Sequence, residues 1–184
     1  SISFFSEAAR QQLNNNNIEA SQIVIEKIGD NSRSMIETMS DIVWSVNPEN
    51  DSVDHLTTRM QALAADILSM QDIRLKFYAD EKLKKIKLNM EQRKNIFMIF
   101  KEALYNIVKY AGCTEVEISL HDTGKRITME IRDNGKGFDM AAYKSYNGNG
   151  LKNMKSRAKE IDAGISIQSE VHAGTTIVLQ MNKS

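Results

Sequence analysis

The chain has one cysteine, one proline and one tryptophan among its 184 residues, and no surplus of either charge. The lone Cys113 excludes an internal disulfide framework and a cysteine-rich zinc site, and it suits a reducing compartment. Twenty-four basic side chains face twenty-four acidic ones. Affinity for nucleic acid through neutralised phosphates is therefore not expected. The longest apolar run, Ile96-Phe97-Met98-Ile99-Phe100, falls far short of the ~20 residues that span a bilayer. A secretory leader is not expected either, because Ser1 to Arg10 lacks a basic start and a long apolar stretch. With a single proline and nine glycines, long helices are favoured over linker-rich architecture. What is present is 41% apolar, enough for one or two ordinary domains that bury roughly 70% of their unfolded surface. The expected setting is cytoplasmic, with no membrane contact in this stretch.

Pro48 separates two textures. Before it, Ile28, Ser32, Met35, Met39, Ile42 and Val46 recur at steps of four and three, with Ile36 and Val43 widening the stripe. Ile2, Phe5, Ala9 and Leu13 form a shorter stripe of the same kind, and Asn14 to Asn17 divide the two, Asn17 being placed to cap the second helix. Residues 1–47 thus read as a helical hairpin within an N-terminal region of residues 1–50. Two helices cannot cover both stripes alone. A second copy would complete a four-helix bundle, which makes the chain a homodimer; packing on the rest of the same chain is the alternative.

Residues 51–184 read as a second domain. Asp51-Ser52-Val53-Asp54 has the form of a capping box with Asp51 at the N-cap, and Leu56, Met60, Leu63, Ile67 and Met70 carry the helix that follows. Ile73, Leu75 and Phe77 alternate with charged residues as a strand. A basic loop (Lys82, Lys84, Lys85, Lys87) then leads to a long helix over residues 90–111. Val116, Ile118 and Leu120 and then Ile127, Met129 and Ile131 alternate on either side of a glycine turn, predicting a hairpin. Residues 138–149 are irregular. A helix over 151–161 and strands over 165–168 and 176–180 complete the pattern. The expected class is α+β: the hairpin, then an α/β sandwich with helices on one face of a mixed sheet.

Three pieces of this second domain carry chemistry. At ~100° per residue, Glu102, Asn106 and Lys109 share a ~60° sector of the long helix, opposite Phe97, Phe100, Leu104, Ile107, Val108 and Ala111. On that helix alone, a solvated face with favourable side-chain pairs explains the column as well as a site does. Asp133-Asn134-Gly135-Lys136-Gly137-Phe138 ends a strand, and it reads as an ordinary Asn-Gly turn or as the edge of a nucleotide pocket. The apolar alternation does not resume after Phe138, which favours the pocket. An ionised acid there can accept a hydrogen bond from adenine's amine, whereas guanine's carbonyl would repel it. Gly148-Asn149-Gly150-Leu151 opens a helix whose N–H groups and dipole attract phosphate. A dinucleotide fingerprint fails for want of its third glycine. A calcium loop starting at Asp133 fails because Lys144 stands where its glutamate should be.

In this order the three pieces resemble the motifs of the GHKL (Bergerat-type) ATPase superfamily and, within it, the catalytic domain of sensor histidine kinases. Glu102 to Tyr110 is similar to the N box, Asp133 to Phe138 to the G1 box and Gly148 to Met154 to the G2 box. Gly174-Thr175-Thr176 is similar to the closing strand. The run Ser40 to Asp51 resembles the helix end of the subfamily with a HisKA_3-type dimerisation hairpin. The resemblance implies that Asn106 coordinates Mg²⁺ on the triphosphate of ATP, that Lys109 adds charge near the phosphates, and that Glu102 orients the phosphoryl acceptor. It implies that Asp133, with Thr175 through water, reads adenine. Gly135 and Gly137 would begin a lid over the nucleotide, and Gly148, Gly150 and Leu151 would end it against phosphate. Tyr105 and Tyr110 depart from the commoner residues of the N box, Tyr110 standing for a usual histidine at the phosphate edge of the pocket.

The resemblance further implies transfer of the γ-phosphoryl to a histidine and then to an aspartate of a response-regulator receiver domain. The three histidines, His55, His121 and His172, all lie outside the hairpin. The acceptor is therefore expected upstream of Ser1, and this chain is expected to bind Mg-ATP without labelling itself. Two other readings are a nucleotide-regulated binding module like the anti-sigma serine kinases, and a scaffold dimer with a degenerate pocket.

Overall fold

The computed structural model describes residues 2–47, 49, 51–140 and 149–183. Pro48 and Gly148 lie outside these residues. The chain forms two compact units, residues 1–46 and 47–184.

In the first unit α1 (Ile2–Asn14) turns back along α2 (Ile18–Val46) through Asn15, Asn16 and Asn17. Asn16 takes a left-handed conformation, φ 55°, and the Asn17 side chain accepts from the Ala20 amide at 3.2 Å, satisfying an otherwise orphaned donor of α2. Ala9 and Ser21 are buried where the helices meet. The stripe along the second half of α2 is open: Met35, Ile36, Met39, Ile42, Val43 and Val46 are all exposed.

The second unit runs α3 (Val53–Ser69), β1 (Arg74–Ala79), a 3₁₀ turn (Glu81–Lys85), α4 (Met90–Asn106), a single wide π-type turn (Ile107–Ala111), β2 (Glu115–Asp122), β3 (Arg126–Asp133), α5 (Asn149–Glu160), β4 (Gly164–Glu170) and β5 (Gly174–Asn182). The five strands form one mixed sheet in the order β1-β2-β3-β5-β4; β1 and β2 are parallel and the other pairs antiparallel. Alternation decides which face is covered. Val116, Ile118, Leu120, Ile127, Met129, Ile131, Ile177, Leu179 and Met181 are buried, while Glu117, Arg132 and Gln180 between them are exposed. Against the apolar face pack Leu56, Met60 and Leu68 of α3, Ile99, Phe100 and Leu104 of α4, and Met154 of α5. Each such side chain contributes about 1.5–3 kcal/mol by leaving water. This is the expected α+β sandwich with helices on one face. No described helix is long and apolar enough to cross a membrane.

The start of α3 differs from the sequence reading by one residue. Ser52, not Asp51, is the N-cap, and its side chain accepts from the His55 amide at 3.3 Å. Asp51 is drawn away by a stronger partner, the guanidinium of Arg93, which is 98% buried. The same guanidinium donates to the Leu88 carbonyl at 2.7 Å and reaches the Asn47 carbonyl at 3.5 Å, pinning the entry segment onto α4. Arg93→Met keeps the apolar stem and removes these donors. Because Asp51 remains part-exposed, the expected loss is that of the buried carbonyl's partner, about 2 kcal/mol, read as a lower urea midpoint of the second unit.

Candidate nucleotide site

A reciprocal cap fixes where α4 begins and hence which residues it presents. The Gln92 amide donates to the Asn89 side chain at 2.8 Å, and the Asn89 amide donates to the Gln92 side chain at 2.9 Å. With Ile99, Phe100 and Leu104 facing the sheet, Glu102 and Asn106 come out one turn apart on the helix edge. The Asn106 side-chain N–H reaches toward the Glu102 carboxylate at 3.5 Å.

After Asn106 the helix widens. In a π-type turn bonds close over five residues, so each residue rotates less about the axis than in an α-helix. The ending is stabilised from outside: the Lys136 amide donates to the Ala111 carbonyl at 2.9 Å, and Gly112 stops the helix in the left-handed region at φ 57°. The widening changes which side chains share a face. Tyr110 follows Glu102 and Asn106 into the site, together with Ile107 and Ala111, which the α-helical count places opposite. Lys109 is not among the lining residues; its ammonium lies 5.2 Å from the centroid of the Tyr110 ring. Tyr105 is exposed on another side of α4, with the Lys101 ammonium 5.8 Å from its ring.

Facing α4 across a cavity of about 540 Å³ is the end of β3. That volume is in the range of small-ligand sites. Asp133 is 97% buried there. Its carboxylate accepts from the Gly135 amide at 2.8 Å, and the amide and hydroxyl of Thr175, its register partner on β5, lie close enough to favour its charged form. Burial pushes the Asp133 carboxyl above the ordinary range, and these donors partly offset the rise. The Cys113 thiol is also raised, by its own burial and then by the charge of Asp133.

Glycine lets the chain pass closely at this end. Gly174 has φ 79°, and a Cβ there would overlap the Asp133 carbonyl, so any side chain would push β5 off the acid. Gly137, also in the left-handed region, lines the cavity against the Glu170 carbonyl. At the opposite end α5 begins. Gly150 and Leu151 line the cavity, and a Cβ on Gly150 would overlap the Glu102 carboxylate.

Glu102, Asn106, Tyr110, Asp133, Gly137, Gly150, Leu151 and Thr175 thus surround one hollow. Gly135 serves it through its bond to Asp133. Unpredicted wall residues are Ala103, Ile131 and Ile177, with Lys136 and Phe138 at the rim. Ile131 and Ile177 are register partners two residues inward from Asp133 and Thr175, so pairing the strands about that acid would have found them. Among the described residues no cluster of three or more His, Cys, Asp or Glu side chains is placed to hold a metal ion. A cation at this site would need oxygens from its ligand.

Residues 91–184 match the family described as histidine kinase-, DNA gyrase B- and HSP90-like ATPases. The chain belongs to that ATPase family. Solved structures share the fold over 72% to 100% of this chain. Acinetobacter baumannii histidine kinase AdeS is 11% identical with a TM-score of 0.70, over 100% of this chain and 95% of that one. The histidine kinase domain of the Erythrobacter litoralis EL346 blue-light activated histidine kinase is 13% identical with a TM-score of 0.63, over 98% and 94%. The catalytic domain of histidine kinase ThkA, in a nucleotide-free form, is 14% identical with a TM-score of 0.60, over 72% and 92%. At these identities the likeness is one of fold. Within the ATPase family fold, the hollow between α4, the end of β3 and the start of α5 is a cavity of small-ligand size.

Proposed function

We propose that this chain is the dimerisation and ATP-binding portion of a two-component sensor histidine kinase. It would pass the γ-phosphoryl of ATP to a histidine and from there to an aspartate of a response-regulator receiver domain, in the cytoplasm. The observation that carries this reading is a single cavity with a buried acid at one end and a glutamate–asparagine pair with a helix N-terminus at the other.

Asp133 accepts from adenine's exocyclic amine, with Thr175 holding the carboxylate and a bridging water. The triphosphate lies toward the first amides of α5, where unpaired N–H groups favour anions. Asn106 directs its N–H toward Glu102, which leaves its carbonyl oxygen as the group that would hold Mg²⁺. Bound there, the ion would neutralise phosphate charge during transfer. Glu102 orients the acceptor imidazole by taking a hydrogen bond from it while the other ring nitrogen meets phosphorus. Lys109, turned against Tyr110, is left out of this scheme; Lys136 is the cation at the rim.

None of the three histidines is the acceptor in this proposal. His55 lies in the first turn of α3 with its ring nitrogen 2.6 Å from the Glu49 carbonyl. His121 is at the end of β2, 3.5 Å from Asp80, and His172 holds the turn between β4 and β5 with φ 67°. Incubated with γ-labelled ATP, the chain is expected to stay unlabelled. A dimerisation hairpin that carries an acceptor histidine, added in trans, is expected to gain acid-labile phosphate. Labelling of this chain alone, or none of the added helix, would contradict the proposal. The open stripe of α2 supports a homodimer, for which light scattering should give twice the 20.8 kDa chain mass.

Asp133 also predicts a pH dependence. Its raised pKa means the folded state holds a proton that the unfolded state has released, so this group's contribution to stability falls as pH rises from the ordinary aspartate value through the raised one. Adenine binding runs the other way, since the amine needs the carboxylate. Adenosine affinity, free of phosphate titration, is expected to drop on acidification with a midpoint above the usual carboxylate range. Calorimetric titrations between pH 8 and 4 would show it; a flat profile would remove Asp133 from base recognition.

A further inference from the structure

The turn between β4 and β5 carries a polar side chain that none of the motifs includes. Ser169, part-buried near the end of β4, places its hydroxyl oxygen 3.0 Å from three groups: the Phe138 amide, the Gly174 carbonyl and the Thr175 hydroxyl. Phe138 is where the chain leaves the Asp133 segment at the rim of the cavity, and Thr175 sits beside Asp133 as its register partner, favouring the charged acid. Two hydroxyl protons are shared among three acceptors. An ionised carboxylate only accepts, so Thr175 serves Asp133 in the arrangement that turns its single hydroxyl proton there, and in that arrangement Ser169 is the donor between the two hydroxyls. The Thr175 oxygen is then free to accept from the Ser169 hydroxyl, whose own oxygen accepts from the Phe138 N–H. Amide, hydroxyl, hydroxyl and carboxylate form one chain of donors pointing toward the acid, and such chains polarise one another. The Gly174 carbonyl, 3.0 Å from the Ser169 hydroxyl, is the competing acceptor for the same proton.

We propose that Ser169 is a positioning residue for the base-reading acid, linking the conformation of the chain at Phe138 to the charge carried by Asp133. It touches neither base nor phosphate. It aims the Thr175 hydroxyl at Asp133 and holds the rim residue on the same oxygen. The inference rests on the adenine-nucleotide reading of the cavity.

Among the described residues the ionisable groups near Asp133 are Cys113, its thiol raised and so neutral in the acid range, Glu102, Tyr110 and Lys136 lining the same cavity, and Glu170 and His172 in the turn packed on the Asp133 segment. Among the described residues none of their side chains bonds to the Ser169 or Thr175 hydroxyl. A change in the acid's titration on altering Ser169 therefore reports on the chain itself.

The test compares the unsubstituted protein with Ser169→Ala and Ser169→Thr, using ADP, GDP and adenosine as probes. Ser169→Ala is expected to weaken ADP about fivefold, the value of one hydrogen bond, and to narrow the preference for ADP over GDP. The pH midpoint of adenosine binding should move further up, because Asp133 loses an aimed donor, and exchange of the Phe138 amide should quicken. Ser169→Thr restores the hydroxyl and should restore all four. If Ser169→Ala lowers the melting temperature but leaves base preference and pH midpoint unchanged, or if threonine restores nothing, Ser169 is merely structural and the inference falls. If the unsubstituted protein holds no ADP, the nucleotide reading falls first and takes this inference with it.

Discussion

Asp133→Ala is expected to weaken ADP binding by about 10- to 100-fold, the value of one hydrogen bond to a charged acceptor, with the fold retained. Stability should change little, because two effects of opposite sign meet at this position. Alanine relieves the burial of an acid whose pKa burial has raised, and it leaves the Gly135 and Thr175 amides without their acceptor. Asp133→Asn separates charge from shape. An amide there can still accept from Gly135 while presenting N–H groups to the base, so ADP should weaken and GDP, with a carbonyl at that position, should gain. The measurement is a pair of calorimetric titrations per variant. Equal affinity for ADP in all three proteins would mean that the base is read elsewhere.

The second large effect is expected at Glu102. Its carboxylate lies beside the first turn of α5, touching the place where a Gly150 side chain would be, and one helical turn from Asn106. In the proposed mechanism it meets the acceptor rather than the nucleotide. Glu102→Gln is therefore expected to lower phosphoryl transfer to a supplied acceptor hairpin by about 10²- to 10⁴-fold, the usual value of a positioned general base. ADP affinity should hold or rise, since one negative charge leaves the phosphate end. A parallel fall in both would assign Glu102 to nucleotide binding; an unchanged transfer rate would remove it from the chemistry.

The parts of the fold that were legible in the sequence are those fixed by local period. The α4 stripe from Ile96 to Leu104 and the alternation through β2 and β3 each repeat often enough to declare both element and buried face. The differences arise where distant residues intervene. Asp51 has the composition of an N-cap, but a buried guanidinium 42 residues away claims it, and Ser52 caps instead. The placement of Lys109 fails for a related reason. A steady α-helical rotation carries it into line with Glu102 and Asn106, whereas the Ala111 carbonyl is engaged by the Lys136 amide and the helix widens. Tyr110 then takes the position that the count gives to Lys109. Ser169 has no local signal: a serine near a strand end is ordinary until β5 brings Thr175 beside it and the chain returns through Phe138.

The central claim is that one hollow takes the base at Asp133 and the phosphates at Asn106, and heteronuclear NMR during nucleotide titration tests it most directly. With ADP and Mg²⁺, the Gly135 amide beside Asp133 and the Asn106 side-chain amide are expected to shift along the same saturation curve. Adenosine should move the Gly135 signal and leave Asn106 nearly still. Shifts at neither group, or two curves with different midpoints, would contradict a shared cavity.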